Sequence, residues 1–311
     1  MRVSVVVCEH SMDRYEDFRE AVESLLGQTY DDTEIVLVSD GNETVCEHIR
    51  DDYGGVESII VHCLDENVGL LAARNAGAEA ASGDVVAFMD DDAIADEEWV
   101  AQLVEVYETK DVPAAGGKMT PAWVAGKPDF LPEEFYWLVG VTHRGFGPDG
   151  DPELPGEVRN TFGSNISFRR EVFLDLDGFD ADIGGRQGDA NLQGGETELC
   201  ARLRETYDQG VYYNPQAEVA HKVFDYRTSP RWLIDRAFWQ GYSKRGMEEF
   251  VPQSSAEESD FLSALLFSFV PARISRLGSS PSRTGFLQIL FLSVLTGCVG
   301  LGYLYGVYVW R

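Results

Sequence analysis

Basic residues are scarce in this sequence. Its 311 residues include 25 Lys plus Arg against 53 Asp plus Glu, which gives a formal net charge of −28. Nucleic acid is bound largely through lysine and arginine contacts to phosphates, so this balance argues against nucleic acid as a partner. Molar salt shortens the Debye length to about 3 Å and relieves the repulsion within so acidic a chain. We therefore interpret the charge as an adaptation to high salt.

Cysteine is also sparse, and no C-x-x-C pair occurs. The five cysteines are Cys8, Cys46, Cys63, Cys200 and Cys298. An odd number at wide spacings suggests neither a disulfide framework nor a zinc cluster. We therefore expect a reducing, cytosolic environment for the bulk of the chain. The apolar run at residues 3–7 is too short for a signal peptide, which favours the same interpretation.

The C-terminal end of the chain carries a long uncharged run. No charged residue lies between Arg283 and Arg311, a stretch of 27 residues rich in Leu, Val, Phe, Tyr and Gly. A helix of that length can span a bilayer. Arg273 and Arg276 also precede the run, and the positive-inside rule would keep the preceding domain on the cytoplasmic side. Glycines weaken the helical pattern here, so a buried or interfacial segment is the alternative.

Residues 257–276, just before this run, combine an acidic start, an apolar middle and a basic end. That order is typical of a helix lying at a membrane surface. The sequence thus predicts a globular domain at 1–250, an interfacial amphipathic segment at 251–282 and a transmembrane or membrane-anchoring segment at 283–311. Membrane lipid is the expected partner of the last two segments.

Short β-branched runs alternate with helical patterns over residues 3–89. Strands are predicted at 3–7, 34–38, 58–62 and 84–89, and helices at 14–26, 44–53 and 69–81. Such alternation predicts an α/β fold with a mostly parallel sheet and helices on both faces. Further along, helices are predicted at 196–207 and 231–245 and a strand at 211–213. Residues 112–159 show no clear periodicity and are expected to form a functional loop region.

Three consecutive carboxylates, Asp90, Asp91 and Asp92, follow a predicted strand. That strand ends at the edge where parallel α/β sheets bind ligands, and Asp40 ends another strand at the same edge. Adjacent carboxylates repel one another, so a divalent cation such as Mg²⁺ or Mn²⁺ would relieve them. In a chain with 53 acidic residues, a solvated surface run is the alternative.

Several ordered motifs surround the triplet. In chain order they are Ser4-Val5-Val6-Val7, Ala21–Tyr30, Val38-Ser39-Asp40-Gly41, Asn67–Gly77, Gly163-Ser164-Asn165, Leu176–Asp180 and Gly195–Leu203. Together, over about residues 1–245, they resemble glycosyltransferase family 2. The resemblance implies a GT-A fold, in which a Rossmann-like sheet binds a nucleotide sugar and the sugar is transferred with inversion at the anomeric carbon.

The resemblance implies roles for the residues near the nucleotide sugar. Asp40 matches the acid that contacts the uracil or ribose, and Arg74 lies in the motif that approaches the nucleotide and its diphosphate. Asp92, helped by Asp90, matches the metal ligand of a D-x-D motif, and Asp91 lies between them in the nucleotide-sugar site. The implied cofactor is Mg²⁺ or Mn²⁺, which would stabilise charge on the UDP leaving group.

The resemblance also implies a general base on the side of the sugar opposite the leaving group. Glu196 aligns with the second acid of the family's usual E-D pair and is the expected base. Gly195 stands where the family has the first acid, which departs from the pattern. Glu198 is the competing base, although residues two apart on a helix point to different faces.

Other residues are expected near the donor and acceptor. Gly163, Ser164 and Asn165 match the segment between the two substrates, where small residues let the backbone approach a ligand closely. Arg202 follows the base motif on the same predicted helix. His221 follows a strand-like stretch where related enzymes often carry a histidine, and it is either a ligand or a packed, hydrogen-bonded side chain.

Within the family, the acid excess, the preference for arginine and the C-terminal run resemble haloarchaeal enzymes that assemble lipid-linked glycans for N-glycosylation of the surface layer. The resemblance implies UDP-glucuronate as donor and a dolichyl-phosphate-linked saccharide as acceptor, at the cytoplasmic side of the cell membrane. Two alternatives stay open. One is a same-fold transferase that acts on polysaccharide or protein, and the other is a catalytically inactive nucleotide-binding scaffold.

Overall fold

The computed structural model describes residues 1–183, 185–187, 190–251 and 256–310. Residues 252–255, within the predicted interfacial segment, and Arg311 lie outside the described residues. The chain forms two compact units. The first comprises Met1–Thr120, Leu154–Asp182 and Gly195–Lys222, and the second comprises Pro121–Glu153, Ile183–Gly194 and Val223–Arg311. The predicted boundaries at residues 250 and 282 stay a prediction.

The described strands are, in chain order, β1 (Val3–Glu9), β2 (Thr33–Ser39), β3 (Ile59–Cys63), β4 (Val85–Met89), β5 (Ala93–Ala95), β6 (Ala114–Trp123), β7 (Gly156–Val158), β8 (Ile166–Arg169), β9 (Gly185–Gln187), β10 (Ala190–Leu192) and β11 (Val211–Val223). The α-helices are α1 (Tyr15–Leu26), α2 (Glu43–Tyr53), α3 (Leu70–Ala80), α4 (Trp99–Thr109), α5 (Arg170–Asp175), α6 (Gly195–Tyr207), α7 (Pro230–Phe250), α8 (Ala256–Ala264), α9 (Val270–Ser279) and α10 (Arg283–Val309). A π-helical turn, Leu265–Phe269, joins α8 to α9.

The first unit is built on a curved run of four parallel strands in the order β3-β2-β1-β4. Every residue of β4 is buried, and β1 and β2 are buried along almost their whole length. Such continuous burial is expected of parallel strands covered on both faces, because side chains on either side of the sheet meet helices. The predicted β-α-β alternation is confirmed in this half of the sheet.

The other half of the sheet is antiparallel, so the sheet is mixed where the sequence predicted a mostly parallel one. β4 pairs with β8 in antiparallel register, β8 pairs with β6, and the order continues through β11 to β5. A parallel neighbour needs a long crossover connection, usually a helix. The β-α-β pattern ends at β4, and the strands that follow return to the sheet without that pattern.

β6 lies in the stretch that the sequence predicted to be a loop. Gly116 and Gly117 lower its strand propensity, but the packing requires them. A Cβ atom on Gly117 would lie 1.8 Å from the carbonyl oxygen of Ala217, and one on Gly116 would lie 2.1 Å from Oγ1 of Thr161. Glycine is therefore needed at these two positions because β6 approaches its neighbours closely. Hydrophobic periodicity in the sequence does not reveal such a constraint.

The cysteines require a correction. Cys46 on α2 and Cys63 at the end of β3 form a disulfide, with their Cα atoms 5.8 Å apart. The two positions are 17 residues apart and share no motif, so only the packing of α2 beside β3 reveals the pair. The expectation that the cysteines form no disulfide is therefore wrong for this pair.

The second unit is mostly helical. α7 and α10 touch through their backbones at Gly241 and Gly302. Glu134 is fully buried, and its Oε2 accepts a hydrogen bond of 2.7 Å from Nη2 of Arg273 on α9. The stretches Asp260–Ser279 and Arg283–Val309 are long and apolar enough to cross a membrane, judged by length and composition. The predicted helix at 257–276 is thus present as α8, the π-turn and α9.

The contact between β6 and β11 gives a test of the fold. We expect Gly117→Ala to lower the free energy of unfolding by about 1–3 kcal/mol, because the added methyl group displaces the β11 backbone. Gly55→Ala is the control, since a Cβ atom there meets no heavy atom within 4 Å. Denaturant unfolding in molar KCl, followed by circular dichroism, measures both. Equal stabilities would contradict the close approach of the strands.

Candidate functional site

The candidate site lies at the carboxyl edge of the parallel strands in the first unit. Asp40 directly follows β2, and Asp90 directly follows β4. β11 adds His221, which pairs with Ala93 of β5 in antiparallel register. The antiparallel half of the sheet therefore returns an imidazole to the edge that the parallel half supplies with carboxylates.

Asp90, Asp92 and His221 offer ligand atoms that all lie within 4.8 Å of one another. Nε2 of His221 lies 3.2 Å from Oδ1 of Asp92, and both side chains are buried. The backbone N–H of Lys222 donates to the carbonyl oxygen of Asp92 over 2.9 Å, which fixes β11 beside the triplet. Two carboxylates and an imidazole form a donor set that suits a divalent cation such as Mn²⁺.

Negative charge accumulates in the triplet. Nη1 of Arg14 lies 3.0 Å from Oδ2 of Asp92 and 4.0 Å from Oδ2 of Asp91. Even so, burial and then the charges of Asp92, Glu9 and Asp90 raise the pKa of Asp91 to about 7. A bound cation would relieve this repulsion, so the residues present fit a divalent ion.

Arg74 on α3 connects the triplet to α6. Its Nη2 lies 2.5 Å from Oδ1 of Asp90, and its Nη1 lies 3.2 Å from Oε1 of Glu196. The guanidinium lies 5.9 and 5.8 Å from the ring centres of Phe88 and Phe179. Burial alone would lower the pKa of Arg74, but the two carboxylates hold it above its ordinary value. Arg74 is only 2% exposed, so it acts here as a positioning residue for both carboxylates.

Glu196 lies in the first turn of α6 with a partly exposed side chain. Gly163 packs directly against it, since a Cβ atom on Gly163 would lie 2.0 Å from Oε1 of Glu196 and 2.8 Å from Nη1 of Arg74. The predicted small residue is therefore required by the Glu196–Arg74 pair. Among the described residues, no hydrogen bond is made to Oε2 of Glu196.

Glu198 is held differently. Nε and Nη2 of Arg202 donate to its two carboxylate oxygens, each over 2.6 Å. Arg202 also donates to the carbonyl oxygens of Leu176 and Gly178, which fixes α6 to the segment after α5. Both oxygens of Glu198 are thus engaged in a structural ion pair. The predicted preference for Glu196 over Glu198 as base has a physical reason in this arrangement.

Asp40 is buried, and its carboxylate is directed at the start of α3. Oδ1 accepts from the N–H of Val68 over 2.8 Å, and Oδ2 accepts from the N–H of Gly69 over 3.1 Å. Gly41 has a φ of +67°, and a Cβ atom there would lie 2.0 Å from the backbone nitrogen of Asn67. The turn after β2 therefore closes on the segment before α3, and Asp40 fixes the helix that carries Arg74.

Ser164 and Asn165 support the site from below. Oγ of Ser164 accepts from the backbone N–H of Asp90 over 2.9 Å. Asn165 is completely buried. Its Oδ1 accepts from Nε1 of Trp99, and its Nδ2 donates to the carbonyl oxygens of Lys118 and Ala217. Asn165 lies close to the predicted site, but both polar atoms of its side chain are engaged in hydrogen bonds within the fold.

Two neighbours of the triplet were missed by the sequence reasoning, namely Arg14 and Glu9. Glu9 ends β1 at the same carboxyl edge, and Arg14 follows five residues later in a 3-10 turn, Met12–Arg14. The rule that ligands bind at this edge could have drawn attention to the residues after β1. Cys8 also lies near the triplet, but burial raises the pKa of its thiol to about 12, so it is a poor nucleophile.

The sequence is similar to one protein family and to several named proteins. The family model of glycosyl transferase family 2 matches residues 4–177. A glucosyl-dolichyl phosphate glucuronosyltransferase of Haloferax volcanii is 49% identical over 307 residues, which cover 98% of this chain and 96% of the relative. The succinoglycan biosynthesis protein ExoM of Rhizobium meliloti is 25% identical over 186 residues, covering 59% of this chain and 53% of that protein.

Solved structures share the fold. The mannosyltransferase PcManGT of Pyrobaculum calidifontis, in complex with GDP-Man and Mn²⁺, superimposes with a TM-score of 0.58 at 15% identity, covering 98% of this chain and 87% of that one. GalNAc-T7 with UDP, GalNAc and Mn²⁺ gives a TM-score of 0.56 at 18% identity, covering 84% and 53%. With the family match, these structures confirm the predicted GT-A fold.

The donor set predicts where Mn²⁺ binds. We expect Asp92→Asn to weaken Mn²⁺ binding at least tenfold, because it removes a ligand and the partner of His221. Asp65→Asn, an equal change of charge on an exposed side chain, should leave the affinity unchanged. Titration followed by the electron paramagnetic resonance of free Mn²⁺ in molar KCl compares them. Identical affinities in the two variants would show that the cation binds elsewhere.

Proposed function

Because this chain belongs to glycosyltransferase family 2, we propose that it transfers glucuronate from UDP-glucuronate onto a dolichyl-phosphate-linked saccharide, with inversion at the anomeric carbon. The Haloferax volcanii relative supports both substrates, since its name includes a glucosyl-dolichyl phosphate acceptor and a glucuronosyl group, and 49% identity extends over almost the whole of both chains. A role in archaeal protein N-glycosylation is part of the same proposal.

The observation that carries the mechanism is the position of Arg74 between Asp90 and Glu196. It brings a carboxylate of the candidate cation site and a candidate base into one ion-pair network around a buried guanidinium. In this proposal Asp90, Asp92 and His221 would hold Mg²⁺ or Mn²⁺, which would supply positive charge to the donor diphosphate when bound. The Mn²⁺ named with both solved structures supports a divalent cofactor.

Glu196 takes the proton of the attacking hydroxyl group. As the acceptor oxygen forms its bond to the anomeric carbon, the bond from that carbon to the UDP oxygen breaks, and the proton passes to the Glu196 carboxylate. Arg74 fixes Oε1, and Oε2 has no hydrogen bond among the described residues, which supports Oε2 as the accepting atom. Gly195 stands where the family has its first acid, so in this proposal Glu196 is the residue that takes the proton.

We place the enzyme at the cytoplasmic side of the cell membrane. Two apolar C-terminal helices support membrane association. UDP-glucuronate is a charged molecule that does not cross a bilayer. This supports the cytoplasmic side, where the donor would be retained. Binding at a membrane surface would also raise the effective concentration of a lipid-linked acceptor.

The two glutamates of α6 separate catalysis from folding. We expect Glu196→Gln to lower kcat about a hundredfold or more, since the amide cannot accept the proton. The melting temperature should fall only slightly, because the amide oxygen can still accept from Arg74 and the pairing of Arg74 with Asp90 is kept. Glu198→Gln should lower the melting temperature and leave kcat nearly unchanged, because it weakens the ion pair with Arg202. Steady-state rates and thermal melts of both variants decide the assignment. A Glu196→Gln enzyme with full activity would remove Glu196 as base.

The substrates are tested by transfer from radiolabelled UDP-sugars to dolichyl-phosphate-linked acceptors in haloarchaeal membranes, at high KCl with Mg²⁺ or Mn²⁺. Wild type is compared with Asp92→Asn. Label entering lipid from UDP-glucuronate, and lost in the variant, is the expected result. Label from another UDP-sugar would replace the donor, whereas UDP release without labelled lipid would redirect the search to polysaccharide or protein acceptors. No turnover of any UDP-sugar would favour the inactive scaffold.

A further inference from the structure

α10 has two different sides. One side carries exposed apolar residues along the whole helix, namely Phe286, Leu290, Leu301, Leu304 and Tyr308. The stretch from α8 to α9 exposes Leu262, Leu266, Phe267 and Ile274 in the same way. Contiguous exposed apolar surface of this kind marks an interaction site. The other side of α10 is in contact with α7.

The contact with α7 occupies the last part of α10 and is unusually close. A Cβ atom on Gly302 would lie 1.8 Å from the carbonyl oxygen of Phe238, and one on Gly241 would lie 1.9 Å from that of Val299. Further along, a Cβ atom on Gly306 would lie 2.9 Å from Cβ of Arg245. Glycines on both helices thus allow backbone-to-backbone packing from Val299 onwards.

Aromatic rings extend this contact to the end of the helix. The ring centre of Tyr242 lies 5.9 Å from that of Tyr305 and 5.8 Å from that of Trp310. Phe238 lies 5.6 Å from Tyr305. Residues 299–310 are therefore attached to α7 along their whole length.

α7 is charged where it meets α10. Oη of Tyr303 donates to the carboxylate of Glu248 over 3.0 and 3.1 Å. Nη2 of Arg245 lies 2.5 Å from Oε1 of Glu249, and Lys244 directly precedes Arg245 on α7. A charged side chain is strongly disfavoured in the hydrocarbon core of a bilayer. Residues 299–310 cannot enter that core while they remain packed on α7.

The rest of α10 is too short to span. Residues 284–298 are 15 residues, which extend about 22 Å at 1.5 Å per residue. The hydrocarbon core of a bilayer is about 30 Å thick. At the start of α10, Gln288 also accepts a hydrogen bond of 2.7 Å from Nη1 of Arg273, which in turn pairs with the buried Glu134. Both ends of α10 are therefore attached to other elements of the second unit.

We propose that α10 does not cross the bilayer, and that α8, α9 and α10 together form a surface that enters one leaflet of a membrane. The distribution of charge supports lipid as the partner. Residues 261–311 contain no Asp or Glu and four Arg, in a chain that carries 53 acidic residues elsewhere. Arg276 and Arg283 are exposed beside the apolar residues. When these residues enter a leaflet, the two arginines lie at the level of the lipid phosphates. This arrangement removes repulsion from an anionic membrane surface.

The topology is tested with protease-cleavable tags at both ends of the full chain, expressed in a haloarchaeal host. An in-plane α10 places the two tags on the same side, so both are cleaved in inverted membrane vesicles and neither in intact cells. A lone span through α10 places them on opposite sides. Because Asp260–Ser279 is also long and apolar enough to cross a membrane, a third cleavage site is inserted between α9 and α10. If both stretches span, that site lies on the side opposite the two tags, and this result would also overturn the proposal. Cleavage of the tags from opposite sides would overturn the proposal whichever sugar the enzyme transfers.

A matched pair of glycines tests the contact itself. Gly302→Leu should separate α10 from α7 and lower the melting temperature of the detergent-solubilised chain by several degrees. Gly300→Leu should not, because a Cβ atom there meets no heavy atom within 4 Å. If α10 were surrounded by lipid as a free span, the two variants would behave alike. Equal melting temperatures close to wild type would therefore overturn the proposal.

Discussion

The buried guanidinium of Arg74 is the interaction on which the rest of the site depends. It is held between Asp90 at the end of β4 and Glu196 at the start of α6. Removing such a charge from water is costly unless it is paired, and here two carboxylates from different elements supply the pairing. Asp40 fixes the helix that carries Arg74, and Gly163 leaves room for Glu196. The relative positions of Asp90 and Glu196, the proposed metal ligand and the proposed base, are thus set by one side chain.

Much of the fold could be predicted because its signals are local. The periodicities that predicted helices at 14–26 and 69–81 gave α1 and α3 within a residue or so. β6 was missed because its selection depends on close contacts with distant backbone, as at Gly117. The disulfide between Cys46 and Cys63 was missed for the same reason, since it depends on how α2 packs beside β3.

The site, like the fold, could be predicted where the signal is local and not where it depends on packing. The type of each residue in the Asp triplet and at Glu196 indicated its chemistry, and the structure brings Asp90, Asp92 and His221 together. What the sequence could not indicate is which side chains are already engaged. The ion pair of Glu198 with Arg202 and the three hydrogen bonds of Asn165 are properties of packing. That Glu198 and Asn165 lie near the substrates stays a prediction. In the structure, both side chains stabilise the fold through these contacts.

The candidate cation site of Asp90, Asp92 and His221 combines residues that are far apart in the chain. Asp92 and His221 are 129 positions apart, and His221 is on the last strand of the sheet. On the ribosome, β1 to β4 emerge well before β11, so the nascent chain holds an incomplete set of these side chains until β11 has been made. Contacts of such long sequence separation also form slowly. A chain made only as far as β4 therefore lacks His221, and the set of Asp90, Asp92 and His221 is complete only when β11 has joined the sheet.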